Sequence, residues 1–415
     1  MSFSSRQTVG GERSLISSRL TLSGGGGLDL LNLFVANIQT GFGPFIAVYL
    51  TTIGWTQTTI GLALSVGTIA AMASQIPAGA LVDMAKRKSV IAGLSLLAFS
   101  TAAMMFAVQP GLLSVMVAEV LHGFASCTLG PCIAAMSIAL VSHSQLAARF
   151  ARNARFSSIG NALGAALMGA FGYYVSTRSV FFLAAALTFP AIALVFPLRK
   201  LDALAPPLPH VREAGQSLGT VAGVLGDRRL LIFAACQLLF TLANAAMLPI
   251  ASGTITEEMP ASANLVIAAF IVLPQLVVAA VSHRVGRYAQ SHGRRLVMIA
   301  ALAALTLRGV LFAVIANPFL LVPIQILDGV SAACNGILVP LVTADVAGHT
   351  HHYNFSLGVI GFAVGIGATV STTVAGMIAD RVGEPTALMC LSVVAFVATV
   401  FTVLLLPETR AARMS

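Results

Sequence analysis

Long apolar runs separated by short polar breaks repeat along this chain, and the runs share a common length. Crossing roughly 30 Å of hydrocarbon takes about 20 residues of α-helix. Six runs of that size fill the first half, at Leu28–Leu50, Thr58–Val82, Val90–Val108, Leu112–Val141, Phe156–Val175 and Ser179–Pro197. Six more follow at Leu230–Ser252, Leu265–Ser282, Leu296–Ile315, Phe319–Val346, Phe355–Ala379 and Thr386–Leu406. The pattern predicts an all-α membrane protein with twelve transmembrane helices, and an even number of spans puts both termini on one side.

The longest polar interval, Arg199 to Arg229, contains Pro206, Pro207 and Pro209 and divides the spans six and six. The expected organisation is therefore a polar tail over 1–27, a first six-helix bundle over 28–198, a linker over 199–229, a second bundle over 230–406 and a short tail over 407–415. The tail over 1–27 has no apolar stretch of signal-peptide length and reads as cytoplasmic. The two halves repeat each other. GALVDMAKRK (Gly79 to Lys88) matches GRYAQSHGRR (Gly286 to Arg295), FAV recurs at Phe106 and Phe312, and EVLHG (Glu119 to Gly123) matches QILDG (Gln325 to Gly329). Matches in the same order at equivalent spans predict parallel repeats related by a pseudo-two-fold axis along the membrane normal.

Charge then sets orientation. Of the 23 Lys and Arg residues, all but Arg178, Arg308 and Arg381 fall in segments that share a side with the termini. Short basic loops stay cytoplasmic, so both ends are expected inside, in a cell inner membrane. The formal charge of +9 is accounted for by this bias and by attraction to anionic head groups, with no nucleic acid implied. Cys127, Cys132, Cys236, Cys334 and Cys390 all fall within spans, so no disulfide framework is expected. Neither Cys127, Cys132 and Cys334 nor the loop cluster His349, His351 and His352 makes a convincing metal site, and no cofactor or metal is expected.

Ionisable groups at membrane depth cost about 3 kcal/mol or more each and mark function. Glu119 and His122 lie three apart, on one face of span four, with Gln325 and Asp328 at the repeat-related places of span ten. Arg308 lies about ten residues before Pro318 and Asp328 about ten after it, which predicts equal depth and an Arg308–Asp328 ion pair. Glu119 has no cation in its own half. Desolvation disfavours the charged form of a carboxylate, so Glu119 is the expected proton-coupling group, with His122 and Asp328 beside it. Asn37, Asn161, Gln237, Asn244, Gln325 and Asn335 complete a candidate polar cavity around Glu119.

Twelve spans in a six-plus-six repeat, with Gly-x-x-x-Asp and a basic cluster after span two, resemble the major facilitator superfamily over the whole chain. The resemblance implies that spans one, four, seven and ten line a central path. It also implies a cytoplasmic gate at Gly79, Asp83, Arg87 and Lys88, with Gly286, Arg294 and Arg295 as a second copy lacking the acid, since Gln290 replaces it. The segment GFGPFIAVYL (Gly41 to Leu50) is similar to the first helix of twelve-helix drug exporters. Gly160, Gly164 and Gly169 on span five make a small-residue pattern best read as close helix packing.

No Gly-x-x-x-x-Gly-Lys-Ser/Thr loop is present, so energy is expected from an ion or solute gradient. No HExxH or GxSxG string supports an intramembrane enzyme. The expected function is proton-coupled efflux of a small organic solute by a monomer in the lipid bilayer. The alternative is a proton symporter importing an organic acid, sugar or siderophore-like nutrient.

Overall fold

In hydrocarbon each backbone N–H and C=O must be satisfied within its own segment, which leaves helix as the outcome for apolar runs of this length. The computed structural model describes residues 25–108, 110–141, 146–202, 226–347 and 353–409. Most of the linker and all three of His349, His351 and His352 lie outside the described residues.

The first half contains α1 (25–40), α2 (Pro44–Thr52), α3 (Gln57–Met84), α4 (Lys88–Val108), α5 (Leu112–Leu140), α6 (Leu146–Tyr174) and α7 (Ser179–Asp202). The second contains α8 (Arg228–Asn244), α9 (Met247–Glu258), α10 (Ala263–His292), α11 (Arg294–Val314), α12 (Pro318–Ala347), α13 (Tyr353–Val382) and α14 (Glu384–Leu405). Taking α1 with α2 and α8 with α9 as single spans gives twelve. Eleven of these, among the described residues, are long and apolar enough to cross a membrane. The twelfth, α6, has 29 residues but starts among Arg149, Arg152 and Arg155.

Two expectations need correcting. The first and seventh spans are not continuous. Each breaks in mid-membrane, after residue 40 and after Asn244. At the first break Gly43 takes φ +95°, open to glycine without strain, and Pro44 starts α2 at a position where its missing N–H costs nothing. At the second, Ala246 N–H donates to Ser371 Oγ at 3.1 Å. Irregular backbone at this depth is tolerated where it lines a cavity. The second correction concerns the basic segments after spans two and eight, which are mostly helix. The backbone of α3 runs to Met84 and that of α10 to His292, and Gly293 at φ +101° alone separates α10 from α11.

Within the first half, Phe42, Phe99, Phe106 and Phe181 form an aromatic core with centroid separations of 5.0 to 6.0 Å. Residues such as Leu113, Phe189 and Leu404 lie on the outer surface, where lipid would meet them. The halves meet where α2 packs on α9, α3 on α13 and α6 on α10. Gly160 and Gly164 bring α6 against α1, and Gly169 brings it against α10.

The seam between the halves is bonded at one face. Asp380 accepts from the first backbone N–H groups of α3, those of Gln57 at 2.9 Å and Thr58 at 2.6 Å. Gln57 Nε2 donates to Glu384 at 3.2 Å, Thr254 also donates to Glu384, and Asn264 Nδ2 donates to Thr177 Oγ1 at 3.1 Å. Deeper in, Ser65 Oγ meets Thr372 Oγ1 at 2.8 Å and the Thr369 carbonyl at 3.0 Å. At the opposite face the hydrogen bonds of Lys88, Ser89, Arg294 and Arg295 each stay within one half.

Candidate functional site

Both helix breaks open onto one central cavity of about 470 Å³ between the halves. The first half contributes Phe42 and Pro44 from the α1–α2 break and Glu119 and His122 from α5, while the second contributes Asn244, Arg308 and Asp328.

On the first-half side, Glu119 is buried, and its Oε1 has no hydrogen-bond partner among the described residues. Its Oε2 lies 3.6 Å from His122 Nδ1. A Cβ at position 67 would collide with this carboxylate, so Gly67 of α3 makes room for it. The His122 ring stacks on Phe42 at 4.3 Å and meets Phe99 edge-on at 5.3 Å, which fixes its orientation.

On the second-half side, Arg308 from α11 is 1% exposed and its Nη1 donates to Asp328 Oδ1 and to Asn244 Oδ1, both at 2.7 Å. Its guanidinium lies 5.1 Å from the Phe312 ring centroid. Burial of a guanidinium requires such compensation. The acid of this pair faces the cavity, its side chain 21% exposed, while the cation is withdrawn behind it. The cavity thus sees an acid beside a histidine from one half and an acid held by an arginine from the other.

The remaining expected residues divide. Asn161 lines a second, adjoining cavity and accepts from Thr40 Oγ1 at 3.3 Å. Asn37 lines neither cavity. It is buried against Gly164 of α6 with its Oδ1 unpaired among the described residues. Gln237 and Asn335 also line neither, because they bond each other at 2.8 Å. Gln325, at the place equivalent to Glu119, is fully buried, with neither amide atom bonded among the described residues.

Gly79 and Asp83 lie on the last turns of α3, and the side chain of Asp83 lies outside the described residues. Arg87 lines a surface recess with Asp202. Lys88 folds back onto the carbonyls of Val82 and Ala85, both at 3.3 Å. Gly286 sits inside α10 with open space around it, so it serves no close approach. Arg294 bonds Asp345 at 3.0 Å, and its backbone N–H and that of Arg295 donate to Glu408 at 2.8 and 3.3 Å. Ser89 N–H likewise donates to Asp202 at 3.2 Å. In each half a carboxylate following the sixth span therefore caps the N-terminus of the third, which suits the helix dipole.

Asp29 was missed by the sequence reading. At 2% exposure it pairs with Arg149 and Arg152, each at 2.5 Å. Both arginines reach it from the start of α6. An acid one turn into an apolar run was the available signal.

Among the described residues no group of three or more His, Cys, Asp or Glu side chains is placed to hold a metal ion.

The family model described as Major Facilitator Superfamily matches residues 28–288 and 233–414. Two curated proteins of Mycobacterium tuberculosis, from strains CDC 1551 / Oshkosh and ATCC 25618 / H37Rv, each named an uncharacterized MFS-type transporter, are 36% identical over 395 residues. They cover 92% of this chain and 93% of their own. This chain belongs to the major facilitator superfamily.

It is accordingly a multi-pass membrane protein and a secondary transporter of a small-molecule substrate. Its fold matches solved members at low identity. The nucleoside transporter NupG gives a TM-score of 0.73 at 16% identity, covering 92% of this chain and 98% of that one. A bacterial homolog of the human lysosomal transporter Spinster, in an inward-facing and unoccupied conformation, gives 0.75 at 11%, covering 96% and 99%. The peptide transporter POT in complex with sulfate gives 0.74 at 12%, covering 93% and 97%. The superfamily's proteins are transporters and not enzymes.

Proposed function

We propose that this chain is a proton-coupled exporter of small organic solutes, acting as a monomer in the inner membrane with both termini cytoplasmic. One observation carries the reading: Glu119 is a buried acid with an unbonded oxygen in the central cavity, with His122 beside it and no Lys or Arg paired with it among the described residues. Such a group takes up and releases a proton as its surroundings alternate between dry and wet. His122, 3.6 Å away and held between Phe42 and Phe99, passes the proton or senses it. Asp328, already neutralised by Arg308, sets the electrostatics of the opposite wall.

The Lys and Arg bias makes the face sealed by Asp380 and Glu384 the outer one, so the conformation described is closed outward. Rocking the halves apart breaks those bonds and exposes the cavity outside. On the inner face, Gly79, Asp83, Arg87, Lys88, Gly286, Arg294 and Arg295 form the complementary gate. The Gly41–Leu50 segment supports export over import.

The test is proton flux in proteoliposomes carrying a pH-sensitive dye while cationic, neutral and anionic solutes are added to wild type and Glu119→Gln. One solute class should drive proton counter-movement in wild type alone. Protons moving with the solute would instead establish the symporter, and solute flux with no proton movement in either protein would refute coupling.

A further inference from the structure

Beside the central cavity lies another, of about 380 Å³, walled by α1, α5 and α6 of the first half. Ser126 lines both, so the two adjoin. The polar wall of the second consists of Asn32, Gln39, Ser126, Asn153, Ser157 and Asn161, and no residue lining it carries a charge.

These six groups are not equally occupied. Asn32 donates to the Leu28 carbonyl at 2.8 Å and to Asn153 Oδ1 at 3.2 Å, and Asn153 donates to Ser137 Oγ at 2.8 Å while accepting from Arg149. This pair forms a rigid end wall, and the charge of Arg149 behind it is met by Asp29. The side chains of Gln39, Ser126 and Ser157, in contrast, make no hydrogen bond among the described residues. Asn161 uses only its Oδ1, so its amide N–H groups remain available. All four are half-buried. Polar groups at membrane depth normally find partners, because leaving them unmet is costly. In the other half the Gln237 amide finds such a partner, its Nε2 donating to Asn335 Oδ1 at 2.8 Å.

We infer that this cavity binds a glycosyl or similar polyol group of the transported solute. A side-chain amide offers an acceptor and a donor side by side, which matches two adjacent hydroxyls, and a serine hydroxyl serves either role. A charged head group would meet no counter-charge in this wall and would lose its hydration uncompensated. The apolar part of the same solute fits the adjoining central cavity against Phe42, Leu64, Leu248 and Pro249. Both volumes fall in the usual range for small-molecule sites, about 300–1,000 Å³. The inference rests on the transporter reading and deepens it by naming a substrate class.

The experiment uses the full chain in proteoliposomes with radiolabelled phenyl β-D-glucoside, and tetraphenylphosphonium and benzoate as charged comparators. Binding and exchange are measured beside proton flux, for wild type, Gln39→Leu, Asn161→Leu and the milder Ser157→Ala. Size-exclusion profiles verify folding. The glucoside should bind and exchange in wild type, with the KM for exchange rising at least tenfold in the two Leu variants and severalfold in Ser157→Ala. Exchange of tetraphenylphosphonium or benzoate without glucoside binding would overturn this inference and leave the transporter reading standing. A KM unchanged in all three variants would also overturn it. Glucoside binding that weakens in the variants without proton movement would uphold the site and refute proton coupling. No solute bound or moved would refute both.

Discussion

The two halves repeat one architecture but treat the ionisable groups at the central cavity differently. In the second half, charge is neutralised in place: Arg308 is bonded to Asp328 and Asn244, and Gln237 to Asn335. In the first half, Glu119 keeps an unbonded oxygen and has only His122 beside it, and the side chains of Gln39, Ser126 and Ser157 make no hydrogen bond around a cavity among the described residues. A satisfied network gives rigidity, and an unsatisfied one gives a group something to exchange with protons, water or solute. If Glu119 couples protons as proposed, the duplication is divided into a scaffold half and a working half.

That division makes its strongest prediction at Arg308 and Glu119. Arg308→Met strips Asp328 of its cation at membrane depth, and breaking a buried pair costs about 3–5 kcal/mol. Thermal unfolding in detergent should show a large loss, and Arg308→Met combined with Asp328→Asn should recover part of it. Glu119→Gln removes an acid that holds no cation, so melting should change little while solute-driven proton flux is lost. Similar stability losses at both sites would erase the distinction.

An exception lies at the inner end of the first half, where Asp29 neutralises Arg149 and half-exposed Arg152. Asp29→Ala leaves buried Arg149 with Asn153 as its remaining side-chain partner. The expected cost is about 3 kcal/mol, the low end for breaking a buried ion pair, because Asn153 stays bonded to the guanidinium. Exchange should survive at reduced protein yield. Loss of proton coupling with full stability would instead bring Asp29 into the working set.

The periodicity of the chain makes the twelve spans and the repeat legible, because a 20-residue apolar run in lipid has one backbone solution. The Arg308 and Asp328 positions are legible by depth counting from a single turn at Pro318. The helix breaks are not, since nothing in the hydropathy of Leu28–Leu50 or Leu230–Ser252 separates a continuous span from one interrupted by Gly43 or Ala245. Nor is the fate of each amide. Asn335 and Asn161 look alike in sequence, yet one bonds Gln237 and the other faces a cavity, and only the rotation of neighbouring helices decides between them. Asp380 has the same difficulty, because its partner is a helix terminus more than 300 residues earlier.

Asp380 gives the smallest effect and ties the comparison together, since it is where the second half grips the first. Its carboxylate caps α3 across the seam, and replacing a capping Asp by Ala costs about 1 kcal/mol. The bond exists only while this face is closed, so the cost falls on one conformation and not on the fold of either half. Asp380→Ala should therefore leave melting nearly unchanged while shifting the closed-to-open ratio about fivefold, the equivalent of that energy. Spin labels at Ile53 and Ala261, which lie near each other on this face, report the shift as a larger population at long distance. An unchanged distance distribution would mean that the apolar packing of α2 on α9 and α6 on α10 closes the seam by itself, with Asp380 a local cap and no part of the switch.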